Sequence, residues 1–278
     1  MNGLSTQVGA TQLLHEAKLR PATTTVARLE KKYNLVLNGN FEGGEMDASS
    51  GSIFIRAYVA STLEPRILKF TETRAEARYE LDIYNFMGFE SPVVAMDHRV
   101  VPMMLLAEDR TDGKCGVAMP AFISSISKVN LDRIPCPHLE KAVLKCVKDI
   151  LIAFESIHQK EIYHNDVKPQ NILIDATGKC FLADFGSAFC PKVSRDGREV
   201  YFSDYYHPAD IASAARPSSV EFDKLLLIVT AIDVLGYLTR GHEGLFSMIS
   251  LWRNISCVQD KELKDTLKGL WPVEINEL

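Results

Sequence analysis

The pattern of apolar residues changes period along this chain, and that change limits the fold more than any other feature. From Tyr33 the chain reads as strands: YNLVLNG, a Gly/Ser/Asp-rich stretch over 43–52, then SIFIRAYV, in which Ile53, Ile55 and Ala57 alternate with residues facing the other way. A third strand, RILKF (66–70), precedes the helical run ETRAEARYELDIYNFMGF, which a stop at Gly88 should end. Two further apolar runs, VVPMMLLAE and CGVAMPAF, follow. Beyond Asn130 the period becomes helical, and HLEKAVLKCVKDILIAFESIHQ places Leu139, Val143, Val147, Ile150, Leu151 and Phe154 on one face. Strands first and helices second predict an α+β protein or two lobes. Before Tyr33, a helical pattern at Leu13, Leu14 and Ala17 and a charged one over 26–32 flank Pro21, so residues 1–32 read as an N-terminal extension.

Composition excludes several partners. With 31 basic and 36 acidic residues the net charge is −5, which gives no polycationic footprint for nucleic acid. The most apolar stretch, Leu225 to Leu238, contains Asp233 and is shorter than the roughly 20 residues a bilayer span needs. It reads as a buried core helix, and no membrane partner is expected. Six cysteines without C-x-x-C spacing argue against a zinc ribbon or a disulfide scaffold. Reduced thiols and the lack of an export or lipid signal at the start point to a cytoplasmic or nuclear setting.

The chemistry is concentrated in YHNDVKPQNILIDATGKCFLADFGSAF (163–189). His164, Asp166, Lys168 and Asn171 stand at fixed spacing, an ILID-ATGK-CFLAD hairpin follows, and Asp184-Phe185-Gly186 begins 18 residues after Asp166. This segment resembles the catalytic loop and DFG motif of protein kinases, and the chain resembles a eukaryotic-like Ser/Thr protein kinase catalytic domain. The resemblance covers about residues 33–240. It implies a bilobal fold with a small antiparallel β lobe (33–121) and a larger helical lobe (122–278) whose C-terminal end is shortened. It also implies ATP and magnesium as cofactors and a protein as substrate.

The resemblance assigns roles residue by residue. Asp166 would accept or orient the substrate hydroxyl proton, Lys168 would compensate charge on the transferred phosphoryl group, and Asn171 and Asp184 would hold magnesium. Lys168, two residues after the catalytic Asp, marks the Ser/Thr branch. Upstream, Lys69 would reach the ATP phosphates, with Glu80 as its helix partner and Glu76 as the alternative. The nucleotide site would draw on Gly51, Ile53, Ile67, Lys69, Met119, Ala121 and Leu173.

Several positions depart from the family pattern. Aligning MDASSGSI with the glycine-rich loop keeps only Gly51 and Ile53, with Met46 and Ala48 in place of two glycines. Ile67 replaces a small alanine. HPAD (207–210) stands for A-P-E, and Asp223 stands where an aspartate begins the central helix of the large lobe. Asn165 replaces the arginine that usually receives an activation-loop phosphate, so activity should not depend on phosphorylation there. These departures keep two alternatives open: a pseudokinase or scaffold, and a small-molecule kinase of the same fold.

Overall fold

The computed structural model describes residues 25–38, 45–46, 52–71, 73–109, 114–129, 134–194, 218–238 and 247–272. These fall into two compact units. The first takes the described residues up to Asn85 together with Pro102–Ala121; the second takes Phe86–Val101 and the described residues from Phe122 onward. Gly51, the early helical pattern at Leu13–Ala17 and the HPAD tetrapeptide lie outside the described residues.

The first unit opens with α1 (Thr25–Tyr33), then β1 (Leu35–Asn38), β2 (Glu45–Met46), β3 (Ile53–Val59) and β4 (Pro65–Thr71). It continues through α2 (Arg74–Met87) and closes with β5 (Leu105–Asp109) and β6 (Lys114–Pro120). The strands form one antiparallel sheet in the order β1-β3-β4-β6-β5, with β2 also paired to β3. Strand alternation gives the sheet two faces. Leu35, Leu37, Ile55, Ala57, Leu68, Phe70 and Ala118 line one face and join Leu29 of α1 in a buried cluster, with Ile53 packed against it. The helix predicted over 26–32 is therefore part of this core. Its Glu30 is buried and accepts the Leu37 amide at 2.7 Å, satisfying a donor on the first strand.

α2 begins with a reciprocal cap: Thr73 Oγ1 accepts from Glu76 N at 3.2 Å, and Glu76 Oε2 accepts from Thr73 N at 3.1 Å. It stops where the sequence predicts, since Gly88 adopts φ +67°, a conformation that favours glycine.

The second unit is mostly helical. Short α3 (Pro92–Asp97) is capped by Ser91, and α4 (Cys136–His158) is the long amphipathic helix read from the sequence. Of its predicted face, Val143, Val147, Ile150 and Phe154 are buried, whereas Leu139 and Leu151 are half-buried. A small sheet, β7 (Ser124–Ser125), β8 (Ile172–Ile174) and β9 (Cys180–Leu182), realises the ILID…CFLAD hairpin. α5 (Val220–Val234) is the apolar stretch, and it is buried on nearly every side from Leu225 to Ile232. Among the described residues no helix is long and apolar enough to cross a membrane. α6 (Met248–Cys257) and α7 (Lys261–Gly269) follow. Buried Glu140 of α4 ties the turn before α7 in place by accepting from Gln259 N (2.9 Å) and Asp260 N (2.5 Å).

Candidate active site

In the first unit, Lys69 sits mid-strand on β4 and Glu80 on α2. Their Nζ–Oε2 distance is 3.0 Å, and both side chains are almost wholly buried, at 4% and 1% exposure. Such a pair persists only when each charge compensates the other. Glu76, the alternative partner, is exposed and spends its carboxylate on the cap of α2.

Register determines which residues share the face of Lys69. Lys69 lies opposite Phe54 and Val117, and Ile67 lies opposite Met119. Ile67, Lys69 and Met119 therefore share a face. Ile53 does not: it pairs with Phe70 and packs against the opposite, core-facing cluster. Phe54, not Ile53, therefore stands on the face of Lys69, because a one-residue offset on a strand reverses the side-chain direction. Met46 pairs with Ile53 as a strand residue, while Ala121 is exposed just past β6. Gly116 carries a constraint not drawn from the sequence. A Cβ there would come within 2.4 Å of the Lys69 carbonyl oxygen, so only glycine lets β6 approach the lysine's backbone this closely.

In the second unit, the loop from Tyr163 to Asn171 is held from below by α5. Fully buried Asp223 accepts from His164 N and Asn165 N, both at 2.8 Å, and its Oδ2 also lies 2.8 Å from His158 Nε2. Thr230, two turns on, donates to Val167 O at 3.0 Å. His164 is locked by both ring nitrogens: Nε2 lies 3.0 Å from Ala183 O and Nδ1 accepts from Asp166 N at 3.3 Å. The edge-to-face contact of its ring with Phe185, 4.9 Å between centroids, links the loop to the DFG segment.

On this platform Asp166, Lys168 and Asn171 come together. Lys168 Nζ lies 2.8 Å from Asp166 Oδ2, and Asn171 Nδ2 donates to the same oxygen at 3.0 Å and to Asp166 O at 2.8 Å. Both side-chain contacts fall on Oδ2, which leaves Oδ1 as the oxygen that can meet an incoming hydroxyl. Asn171 spends its amide nitrogen on Asp166, so its carbonyl oxygen is the atom it can offer elsewhere. Asn171 O also accepts from Ala183 N at 2.9 Å, placing Asp184 one residue beyond a direct backbone link to Asn171. Leu173 is half-buried on β8.

Asn165 and Asp184 adopt φ +64° and +65°, which side chains other than glycine rarely do and which Asn and Asp tolerate best. Asn165 is fully buried, and its Nδ2 donates to Ser187 O (3.2 Å) and Ser218 Oγ (3.0 Å). A neutral amide thus joins the residue after the DFG motif to the residue two before α5. The sequence shows a missing arginine here; the bridging role emerges only in three dimensions.

Comparison with known proteins agrees with this geometry. The sequence model of the protein kinase domain matches residues 130–224, which span the catalytic loop, the DFG motif and Asp223. Serine/threonine-protein kinase MRCK alpha of Mus musculus is 42% identical over 66 residues, 24% of this chain and 4% of that protein. MRCK beta of Homo sapiens is 45% identical over 51 residues, 18% of this chain and 3% of that protein. Serine/threonine-protein kinase Genghis Khan of Drosophila melanogaster is 43% identical over 51 residues, again 18% and 3%. Over residues 130–224 this chain is similar to the protein kinase domain. The matched stretches cover only 3–4% of these kinase relatives' length.

Proposed function

We propose that this chain transfers the γ-phosphoryl group of ATP, with magnesium, to Ser or Thr hydroxyls of proteins. The observation that carries the reading is the Asp166 carboxylate, clamped on one oxygen by Lys168 and Asn171 and presented on a loop pinned by Asp223. Phosphoryl transfer asks the protein chiefly for positioning and charge, and this cluster supplies both. Asp166 Oδ1 would orient the acceptor hydroxyl and take its proton, while Lys168 would offset charge on the group in transfer.

The residues available for magnesium fit a hard cation, since Asp184 offers a carboxylate and Asn171 an amide oxygen. When bound, the ion would neutralise phosphate charge. Lys69, oriented by Glu80, would meet the α and β phosphates, and Ile67, Phe54 and Met119 would present apolar surface on the same face of the sheet. In this reading residues 33–121, with α1 packed into the core of their sheet, form the small lobe and 122–278 the large lobe of a bilobal kinase. Asn165 supports activity without an activation-loop phosphate, because it is neutral and already committed to Ser187 and Ser218.

A nucleotide-binding scaffold is the second reading, favoured by bulky Ile67 on the face of Lys69. One experiment separates the two. Wild type should show a magnesium-dependent rise in melting temperature with ATP and should label a generic basic protein from radioactive ATP. Asp166→Asn should keep the melting shift and lose the labelling, and Asp184→Asn should lose the magnesium-dependent part of the shift. A shift without labelling in wild type would establish the scaffold, and labelling that survives Asp166→Asn would remove Asp166 from the chemistry.

A further inference from the structure

A second reactive cluster lies in the second unit, away from Asp166. A cavity of about 230 Å³ is bounded by α4, the β8–β9 hairpin and α5. Its wall is almost wholly aliphatic, with Val143, Val147, Leu227 and Ala231 among the contributors, and two free cysteines, Cys146 of α4 and Cys180 of β9, also face it. Lys145 and Gly178, both exposed, belong to the same wall, so the cavity reaches solvent. A solute little larger than water needs only about 10–15 Å³ of probe-occupied space to enter.

The two thiols are held together by the fold. Asp149, one turn after Cys146 on α4, accepts the backbone amide of Cys180 at 3.0 Å. Asp149 is itself fixed by Arg99, whose Nε lies 2.7 Å from Oδ1, and by Lys145, whose Nζ lies 3.5 Å from Oδ2. The start of β9 is thus clamped to the helix one turn from Cys146, and both thiols face the same cavity.

We propose that Cys146 and Cys180 form a peroxide-responsive dithiol site that closes to a disulfide in the folded protein. The Cys180 thiolate attacks hydrogen peroxide, the O–O bond breaks, and Cys180 sulfenic acid forms as hydroxide leaves and is protonated to water. The Cys146 thiol, losing its proton, then attacks the sulfenic sulfur; the S–S bond forms and a second water leaves. Overall two thiols are oxidised by two electrons and one peroxide is reduced to two waters. The order of events follows the mutual influence of the two thiols. Interaction with Cys146 lowers the Cys180 thiol against the opposing effect of burial, and the same interaction together with burial raises Cys146 well above the ordinary thiol range. Asp149 opposes the thiolate and Lys145 favours it; these are the charged groups that act on both thiols from α4, and Asp175 from the β8–β9 turn also disfavours it at Cys180.

The full chain, treated with hydrogen peroxide under native conditions, alkylated after unfolding and digested without reductant, should yield a Cys146–Cys180 cross-linked peptide pair. That pair should be lighter by two hydrogens than its reduced components and should separate on reduction with dithiothreitol. Cys146→Ser should halt the reaction at a Cys180 sulfenic acid captured by dimedone, and Cys180→Ser should leave Cys146 alkylatable; Cys→Ala versions serve where serine impairs folding, checked by circular dichroism. Recovery of Cys146 and Cys180 as alkylated thiols while exposed Cys136 and Cys257 oxidise would overturn the proposal. So would a dimedone adduct that appears on Cys146 rather than Cys180. Neither readout needs phosphoryl transfer, so failure here and failure of the kinase reading are distinguishable.

Discussion

The two units each bury a lysine against a carboxylate, but they support the charges in different ways. Lys69 and Glu80 form a pair bridging one strand and one helix, with each as the other's opposite charge. The Asp166–Lys168 pair belongs to a network in which Asn171, His164 and Asp223 each hold part of the loop. A buried pair suffers when either member is lost, because the survivor loses the opposite charge beside it. A network spreads the loss of a peripheral member but collapses when its anchor goes, and here the anchor is Asp223.

The largest effect should therefore come from Asp223→Ala. It strips the acceptor from two buried amides and the His158 ring, each worth about 1–3 kcal/mol when left unsatisfied. We expect at least about 4 kcal/mol of destabilisation in urea denaturation and fast hydrogen exchange at the His164 and Asn165 amides. Exchange at those two amides as slow as in wild type would mean the loop is held by its own sequence, and the contrast between pair and network would disappear.

Next in size is the Lys69–Glu80 pair. Lys69→Met should cost about 3–5 kcal/mol by removing the positive charge beside buried Glu80, whereas Lys69→Met combined with Glu80→Leu should recover most of that loss. If the double variant is as unstable as the sum of the singles, the two side chains are not coupled and the 3.0 Å contact carries no stability. Because the single change perturbs folding as well as phosphate contacts, kinetic loss in Lys69→Met should be read only against the double variant.

How far the sequence alone reveals these features depends on how far apart the partners lie. His164, Asp166, Lys168, Asn171 and Asp184 were legible because their spacing is fixed by one loop and one hairpin, and the Lys69–Glu80 pair because a strand leads directly into a helix. Asp223 could be aligned with the start of a helix, but its hold on His164 and Asn165 spans 58–59 residues of chain and appears only on folding. Ile53 shows a subtler failure. Aligning from the glycine-rich loop put it in the nucleotide site, yet pairing with β4 puts Phe54 on the face of Lys69. The pairing register, which the sequence leaves open, sets which face each residue takes. Gly116 was missed for a similar reason, since a lone glycine in a strand signals close approach but not to what.

The smallest effect tests the edge of the network, at the β8–β9 turn. Asp175 Oδ1 accepts from Thr177 N (2.8 Å), Thr177 Oγ1 (2.8 Å) and Lys179 N (3.0 Å), an Asx-type turn that sets the hairpin leading to Asp184. Partial burial pushes the Asp175 carboxyl up, but the Lys179 and Thr177 donors outweigh it and hold the group below its ordinary value of 3.8. A carboxylate depressed in the folded state contributes stability that is fully present above its unfolded pKa and is lost as pH falls through the folded one. The contribution should therefore be intact at neutral pH and disappear below about pH 4. Asp175→Asn keeps an acceptor oxygen but lacks the charge, so it should be slightly less stable than wild type at pH 7, with the gap closing as pH falls below 4. A gap that is unchanged or wider at acid pH would show that the turn depends on side-chain shape rather than charge. Cooperative loss of the whole second unit at neutral pH in Asp175→Asn would show instead that the turn, and not Asp223, anchors the catalytic loop.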